Sequence, residues 1–300
     1  MRRLKNIMIR IATTAAVIVF PWTAVLLLSS CEKDITVNLP QAESKLVVEG
    51  YVSTGKAPYV QITKSAPYFS PIDSASLLSY LVHGALVIVS DGITSDTLIE
   101  TIDLSLQNPF VYKSQNMTGE NGRDYHLTVV AEGITLTAVT QIPYPVPLDS
   151  VWFKVDGNKD SLGFAWGHLT DPDSLGNGYR WFAKRLGKDE DYIAPIGSVF
   201  DDKFINGKSF DFGYNRGSVP NSDAPDDNNE ERGYFKRGDT IAVKFCTLDR
   251  AHFVFWRSVE TQIGSNGNPF SSPAPIEGNI QGGLGIWGGY GISLDTIFAQ

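Results

Sequence analysis

Apolar and polar residues alternate along most of the chain after residue 44, in short runs that predict β-strands. The first two runs, 45–52 and 58–63, are rich in β-branched residues and flank a turn containing Gly55, which indicates a hairpin. Further runs occur at 85–90, 96–100, 110–112, 125–131 and 134–140, without helical periodicity. Short strands at this spacing are typical of an immunoglobulin-like β-sandwich.

The segment 142–147 interrupts this pattern with three prolines. Because proline cannot donate a ladder hydrogen bond, we predict a stiff linker and a domain boundary near residue 147. Further strands are predicted at 148–155, 164–169, 179–185 and 241–246. Between 248 and 263, apolar residues recur at helical spacing, with Asp249 to cap the start and Gly264 to end the helix.

These patterns predict a mainly β fold. An N-terminal sandwich over 45–147 is followed by a second β-rich domain over 148–300, which contains one α-helix.

The first 31 residues follow a different pattern. Four basic residues lie within the first ten, residues 11–28 are uncharged and apolar, and Ser29 and Ser30 precede Cys31. This order is typical of a secretory signal that ends in a lipoprotein box. We expect cleavage to remove residues 1–30, Cys31 to carry a diacylglycerol and acyl chains such as palmitate, and residues 31–44 to form a tether. A membrane-spanning helix is the alternative, but Pro21 interrupts a stretch that is already at the lower length limit.

Charged residues follow the cysteine directly, at Glu32, Lys33 and Asp34. Acidic residues in this position resemble the surface-export signals of Bacteroidota lipoproteins. We therefore predict a lipid anchor in the outer membrane, with the protein on the cell surface.

The composition is acidic, with a net charge of −8 and a pI near 5.0. Nucleic acids and anionic lipids both need a basic patch, so neither is expected as a partner. The second cysteine, Cys246, lies in an alternating strand and is expected in the core. The four histidines are scattered and show no zinc spacing, and no cofactor is expected: His83, His126, His168 and His252.

One group of oxygen-bearing residues has partial calcium-loop character. Asp171, Asp173 and Asn177 could supply ligands, but Pro172 intervenes and Phe182 stands where an EF-hand has its glutamate. Turn formation explains these side chains better than a metal site does. The acidic run 223–231 is predicted to be an exposed loop.

The C-terminal half also contains candidates for a partner interface. Trp256, Trp287 and Tyr290 could anchor a partner if they are exposed, although burial in the core is the alternative. The glycines between 279 and 290 could bring the backbone close to a ligand or a partner barrel. We favour the other interpretation, in which they form tight turns that let the last strands close the sandwich.

Several short motifs follow one another along the chain. After the lipoprotein box come the 45–52 strand, the Asp171-Pro172-Asp173 turn leading to Tyr179-Arg180, Gly238-Asp239-Thr240, the helix with Phe255-Trp256, Asn268-Pro269-Phe270, and 279–285 with Gly288-Gly289-Tyr290. Together they resemble the Bacteroidota lipoproteins catalogued as domain of unknown function 4249. The resemblance implies a β-rich outer-membrane lipoprotein, often encoded beside a TonB-dependent transporter, and it supplies no catalytic residues.

The sequence features and the resemblance lead to three functional hypotheses. The first is a non-enzymatic accessory or ligand-capture subunit of a TonB-dependent nutrient transporter. The second is a surface hydrolase of glycans or peptides, although no nucleophile elbow is present. The third is an adhesion or envelope-structural module. We favour the first, and we expect no enzymatic activity.

Overall fold

The computed structural model describes residues 43–66, 78–104, 109–218, 231–265 and 275–300. Residues 43–300 form one compact unit. The predicted signal, Cys31, almost all of the predicted tether and most of the acidic run 223–231 lie outside the described residues.

The N-terminal half, in its described residues, consists of seven strands. Each of them was predicted from the sequence, and burial alternates most regularly along the last two. The strands are β1 (Leu46–Ser53), β2 (Tyr59–Lys64), β3 (Leu86–Ser90), β4 (Ser95–Ile102), β5 (Phe110–Lys113), β6 (Asp124–Ala131) and β7 (Ile134–Gln141).

The C-terminal half adds further strands and a helix. A short 3-10 turn at Asp202–Phe204 separates two of the strands. The elements are β8 (Ser150–Val155), β9 (Leu162–Thr170), β10 (Gly178–Arg185), β11 (Val199–Asp201), β12 (Ser209–Tyr214), β13 (Phe235–Lys236), β14 (Thr240–Leu248), α1 (Arg250–Ser265) and β15 (Leu284–Phe298).

Two sheets organise these strands. The larger has eleven strands in the order β11-β10-β14-β15-β1-β2-β5-β4-β3-β6-β7, and the smaller contains β12, β9, β13 and β8. In the larger sheet β1 pairs antiparallel with β2 and parallel with β15, so the last strand lies beside the first. Strands from both sides of the boundary predicted near 147 therefore belong to one sheet.

Apolar side chains form three clusters. The first lies among the N-terminal strands, the second lies between the smaller sheet and β10 and β14, and the third lies beneath α1. Strand β15 contributes to all three: Trp287 packs in the first, Ile297 against the second and Tyr290 in the third. The mainly β class and the sandwich packing are thus as predicted.

The glycine-rich segment 279–290 supplies the first seven residues of β15, a continuous strand of 15 residues. A Cβ at Gly289 would collide with the carbonyl oxygen of Gln141, and one at Gly288 would lie 2.6 Å from the imidazole of His252. Gly285 has a φ of +108°, which other residues rarely adopt. These glycines therefore serve the close approach of backbone to neighbouring elements within the fold.

Helix α1 begins where the sequence places its cap. The Asp249 carboxylate accepts the backbone N–H of His252 at 2.8 Å, and its other oxygen accepts the hydroxyl of Thr140. Asp249 thereby satisfies a free N–H of the first turn and ties the helix to β7. The predicted end residue, Gly264, lies inside the helix, which continues to Ser265.

Candidate functional site

The most chemically distinctive surface lies on the face of the larger sheet that α1 partly covers. Alternate residues of a strand share a face, and the register places Phe182 of β10 beside Lys244 of β14, which in turn lies beside Leu294 of β15. We call this surface the cation–aromatic face. It comprises the cations Arg180, Lys184 and Lys244 and the rings of Tyr51, Tyr59, Phe182, Tyr192, Trp256 and Tyr290.

Arg180 lies at the centre of this face and is only 8% exposed. Its guanidinium carbon lies 3.4 Å from the ring centre of Trp256 and 4.7 Å from that of Phe182. One terminal nitrogen donates to the Tyr290 hydroxyl at 3.0 Å. The Nε atom is buried without a hydrogen-bond partner, and among the described residues no carboxylate forms an ion pair with Arg180.

Lys244 is the second cation of the face. Its ammonium lies 4.1 Å from the ring centre of Phe182 and 4.9 Å from that of Tyr192, which also has Lys184 at 5.0 Å. Burial lowers the pKa of Lys244, and the positive charge of Arg180 lowers it further. Aromatic rings attract cations only modestly, so the ring contacts offset only part of the cost of burying this ammonium.

Two acidic side chains act on these cations from beyond ion-pair distance. Asp191 raises the pKa of Lys244 by Coulombic attraction. Burial raises the pKa of Glu260 on α1, while Arg180 lowers it. One carboxylate oxygen of Glu260, Oε2, is buried without a partner, as is the Nε of Arg180. The face therefore contains an unpaired donor and an unpaired acceptor.

A buried histidine positions the tryptophan that covers Arg180. The indole N–H of Trp256 can only donate, and it donates to Nε2 of His252 at 2.9 Å. The proton of the imidazole is therefore on Nδ1, which donates to the carbonyl of Gly289 at 3.1 Å. Burial lowers the pKa of His252 to about 3, so the ring is neutral. The close approach at Gly288 leaves room for this ring.

The structure brings together two of the three predicted interface residues. Trp256 is half-buried and Tyr290 is 8% exposed, and both contact Arg180. The prediction that Trp287 could anchor a partner is wrong. This residue is 0% exposed, and its indole N–H donates to the Tyr125 carbonyl in the first cluster. It is a core residue and cannot contact a partner. Tyr290 is likewise too buried to anchor a partner by itself.

The weak metal candidates are engaged in hydrogen bonds within turns. Asp171 accepts from the Tyr179 hydroxyl and the Gly207 N–H, while Asp173 accepts from Asn206. The amide of Asn177 donates to the Ser174 carbonyl. Across the described ranges, no three His, Cys, Asp or Glu residues form a group that could hold a metal ion.

Two residues that give the face its chemistry, Arg180 and Lys244, were not among the predicted site residues. The available signal was a charged side chain inside an otherwise apolar strand, since Arg180 stands between Tyr179 and Trp181.

In the described part of the chain, no helix is both long and apolar enough to span a membrane.

The fold and site define a mainly β protein with a partly covered surface of buried cations and aromatic rings. The chain belongs to the family described as domain of unknown function (DUF4249), whose model matches residues 32–294. No curated protein matches the sequence.

One solved structure with some similarity is that of the chicken CNTN1 FN1–FN3 domains, at 15% identity, covering 72% of this chain and 65% of that one, with a TM-score of 0.22. The chain thus spans just under two thirds of that protein's length, and the likeness is too weak to support an argument.

Proposed function

We propose that this protein is a non-enzymatic ligand-capture subunit of a TonB-dependent nutrient transporter, anchored in the outer membrane by lipid on Cys31. The lipoprotein box supports the anchor, and the family resemblance supports the transporter. The observation that carries the capture role is Arg180, a buried guanidinium without a carboxylate partner in the described structure.

The unpaired state of Arg180 favours binding over a purely structural role. Burial of a charge costs several kcal/mol unless a partner compensates for it, and stability alone would favour an apolar residue or a nearby acid. Ring contacts and one hydroxyl offset only part of that cost. A bound ligand that completes the hydrogen bonds of Arg180 would recover it.

The lipid anchor is tested by metabolic labelling with palmitate. Wild-type protein should be labelled and Cys31→Ala should lose all label. Cys246→Ala is the matched control, because Cys246 is buried and its pKa is raised to about 12 by that burial, so its thiol does not react. Label on the Cys31→Ala protein would refute the anchor.

The transporter role is tested by co-purification. A C-terminally tagged chain is extracted from the outer membrane in mild detergent, and the proteins that elute with it are identified. A TonB-dependent barrel in stoichiometric amount is the expected result. A lone protein, from an extract in which known barrel complexes survive, would overturn the accessory role and leave the hydrolase and adhesion hypotheses to be tested.

A further inference from the structure

We infer that the cation–aromatic face binds a small-molecule carboxylate, whose oxygens accept hydrogen bonds from the Arg180 guanidinium and whose apolar body lies on the neighbouring rings. This inference rests on the capture role proposed above and names the chemical class of the ligand.

The donor geometry of Arg180 suits a carboxylate. A guanidinium has five N–H donors in a fixed fork, and a carboxylate binds two of them in parallel. One donor of Arg180 goes to the Tyr290 hydroxyl, and Nε has no partner although it is buried. Trp256 and Phe182 hold the guanidinium carbon at 3.4 and 4.7 Å, so the fork is already oriented. Such preorganisation lowers the cost of binding.

The charge of the site favours an anion. Arg180 and Lys244 both contact the ring of Phe182, and each cation disfavours the other. An anion that enters between them relieves this repulsion. The chain as a whole has a net charge of −8, so attraction of an anion to this face depends on these buried cations.

The apolar side chains around the site argue against a bare inorganic anion. Tyr59 and Ile292 are half-buried on the same face, and Leu294 is 62% exposed beside Lys244. Apolar surface next to an anion site favours a ligand that carries both features. An aromatic or aliphatic carboxylate has this combination.

Ordered water that satisfies Nε of Arg180 and Oε2 of Glu260 is the competing explanation. The two explanations differ in a measurable way. Ordered water needs no ligand, and it predicts that carboxylates leave the Nε–H signal of Arg180 unchanged.

The experiment uses detergent-purified full-length protein and three probes in calorimetric titrations. Benzoate has the charge and the ring, benzamide lacks the charge, and acetate lacks the ring. Benzoate should bind roughly tenfold more tightly than either of the others. It should also shift the Nε–H resonance of Arg180. Equal binding of benzamide, or an unchanged Nε–H signal, would overturn the proposal.

Variants locate the site. Arg180→Lys keeps the charge but loses the fork, and it should weaken benzoate binding by roughly tenfold. Lys244→Met should weaken it several-fold, and it keeps the proposal testable if thermal unfolding shows that Arg180→Lys is not folded. Arg250→Lys is the matched control, because Arg250 lies over Phe253 at 4.9 Å but is ion-paired with Asp201. Equal losses in all three variants would refute the assignment.

The result is separable from the test of the transporter role. If benzoate does not bind but a barrel still co-purifies, only the proposed ligand class is overturned and the transporter role stands. Absence of a barrel, with benzoate still bound at Arg180, overturns the transporter role and keeps the carboxylate site.

Discussion

Acidification should destabilise the protein through His252. Burial lowers the pKa of this imidazole to about 3, although the Gly289 carbonyl favours the protonated form. In the unfolded chain the pKa is about 6.5. Because the folded-state pKa is lower than the unfolded one, the stability is complete above about pH 6.5 and is lost progressively as the pH falls towards 3.

The size of the effect follows from proton linkage. Between about pH 7.5 and pH 5, the unfolded imidazole takes up a proton while the folded one stays neutral, which costs about 2 kcal/mol of unfolding free energy. The assay is urea unfolding at both pH values. The variant His252→Gln keeps an amide donor and acceptor but does not titrate. Wild type should therefore lose about 2 kcal/mol more than the variant over this interval.

The control for this measurement is His126→Gln, which changes an exposed histidine on β6. It should retain the pH dependence of the wild type. The reasoning is refuted if His252→Gln loses stability as steeply as wild type does, because the imidazole would then titrate similarly in both states. A loss of the pH dependence in His126→Gln would refute it equally.

Three further substitutions test the packing. Gly289→Ala, which forces a Cβ against the Gln141 carbonyl, should destabilise by about 3 kcal/mol and lower Tm by roughly 6–12 °C, measured calorimetrically. Its control, Gly264→Ala, adds a Cβ into open space within α1 and should raise stability by about 0.5–1 kcal/mol. Asp249→Ala should cost about 1–2 kcal/mol in urea unfolding by removing the cap. Trp287→Phe should cost about 2 kcal/mol and leave benzoate affinity unchanged, which distinguishes a core residue from a site residue.

The strands were predictable because their signal is local. Alternation along β6 or β7 follows from one buried face, and it needs no knowledge of the partner strand. The same holds for α1, whose cap and periodicity lie within one short segment. Strand order was not predictable, because the parallel pairing of β1 with β15 joins opposite ends of the described chain.

The interface candidates show the limit of local patterns most clearly. Tyr290 and Trp287 lie three positions apart on one strand, so their side chains point to opposite faces of the sheet. Both faces are covered here, the Trp287 face by the first cluster and the Tyr290 face by the third, and which residue faces the cations depends on the register with neighbouring strands. Sequence reasoning could therefore select both residues as notable and could not decide between them.

The site residues are linked to the fold by a chain of contacts. Gly288 leaves room for His252, His252 orients Trp256, and Trp256 covers Arg180. The features that dock α1 on the sheet thus also shape the surface around the guanidinium. Because burial keeps the folded His252 neutral down to about pH 3, its Nε2 still accepts the Trp256 indole between about pH 7.5 and pH 5. Carboxylate binding to the folded protein should therefore persist over this interval, while the free energy of unfolding falls. Loss of benzoate binding between about pH 7.5 and pH 5, in protein that is still folded, would contradict a neutral His252 and this chain of contacts.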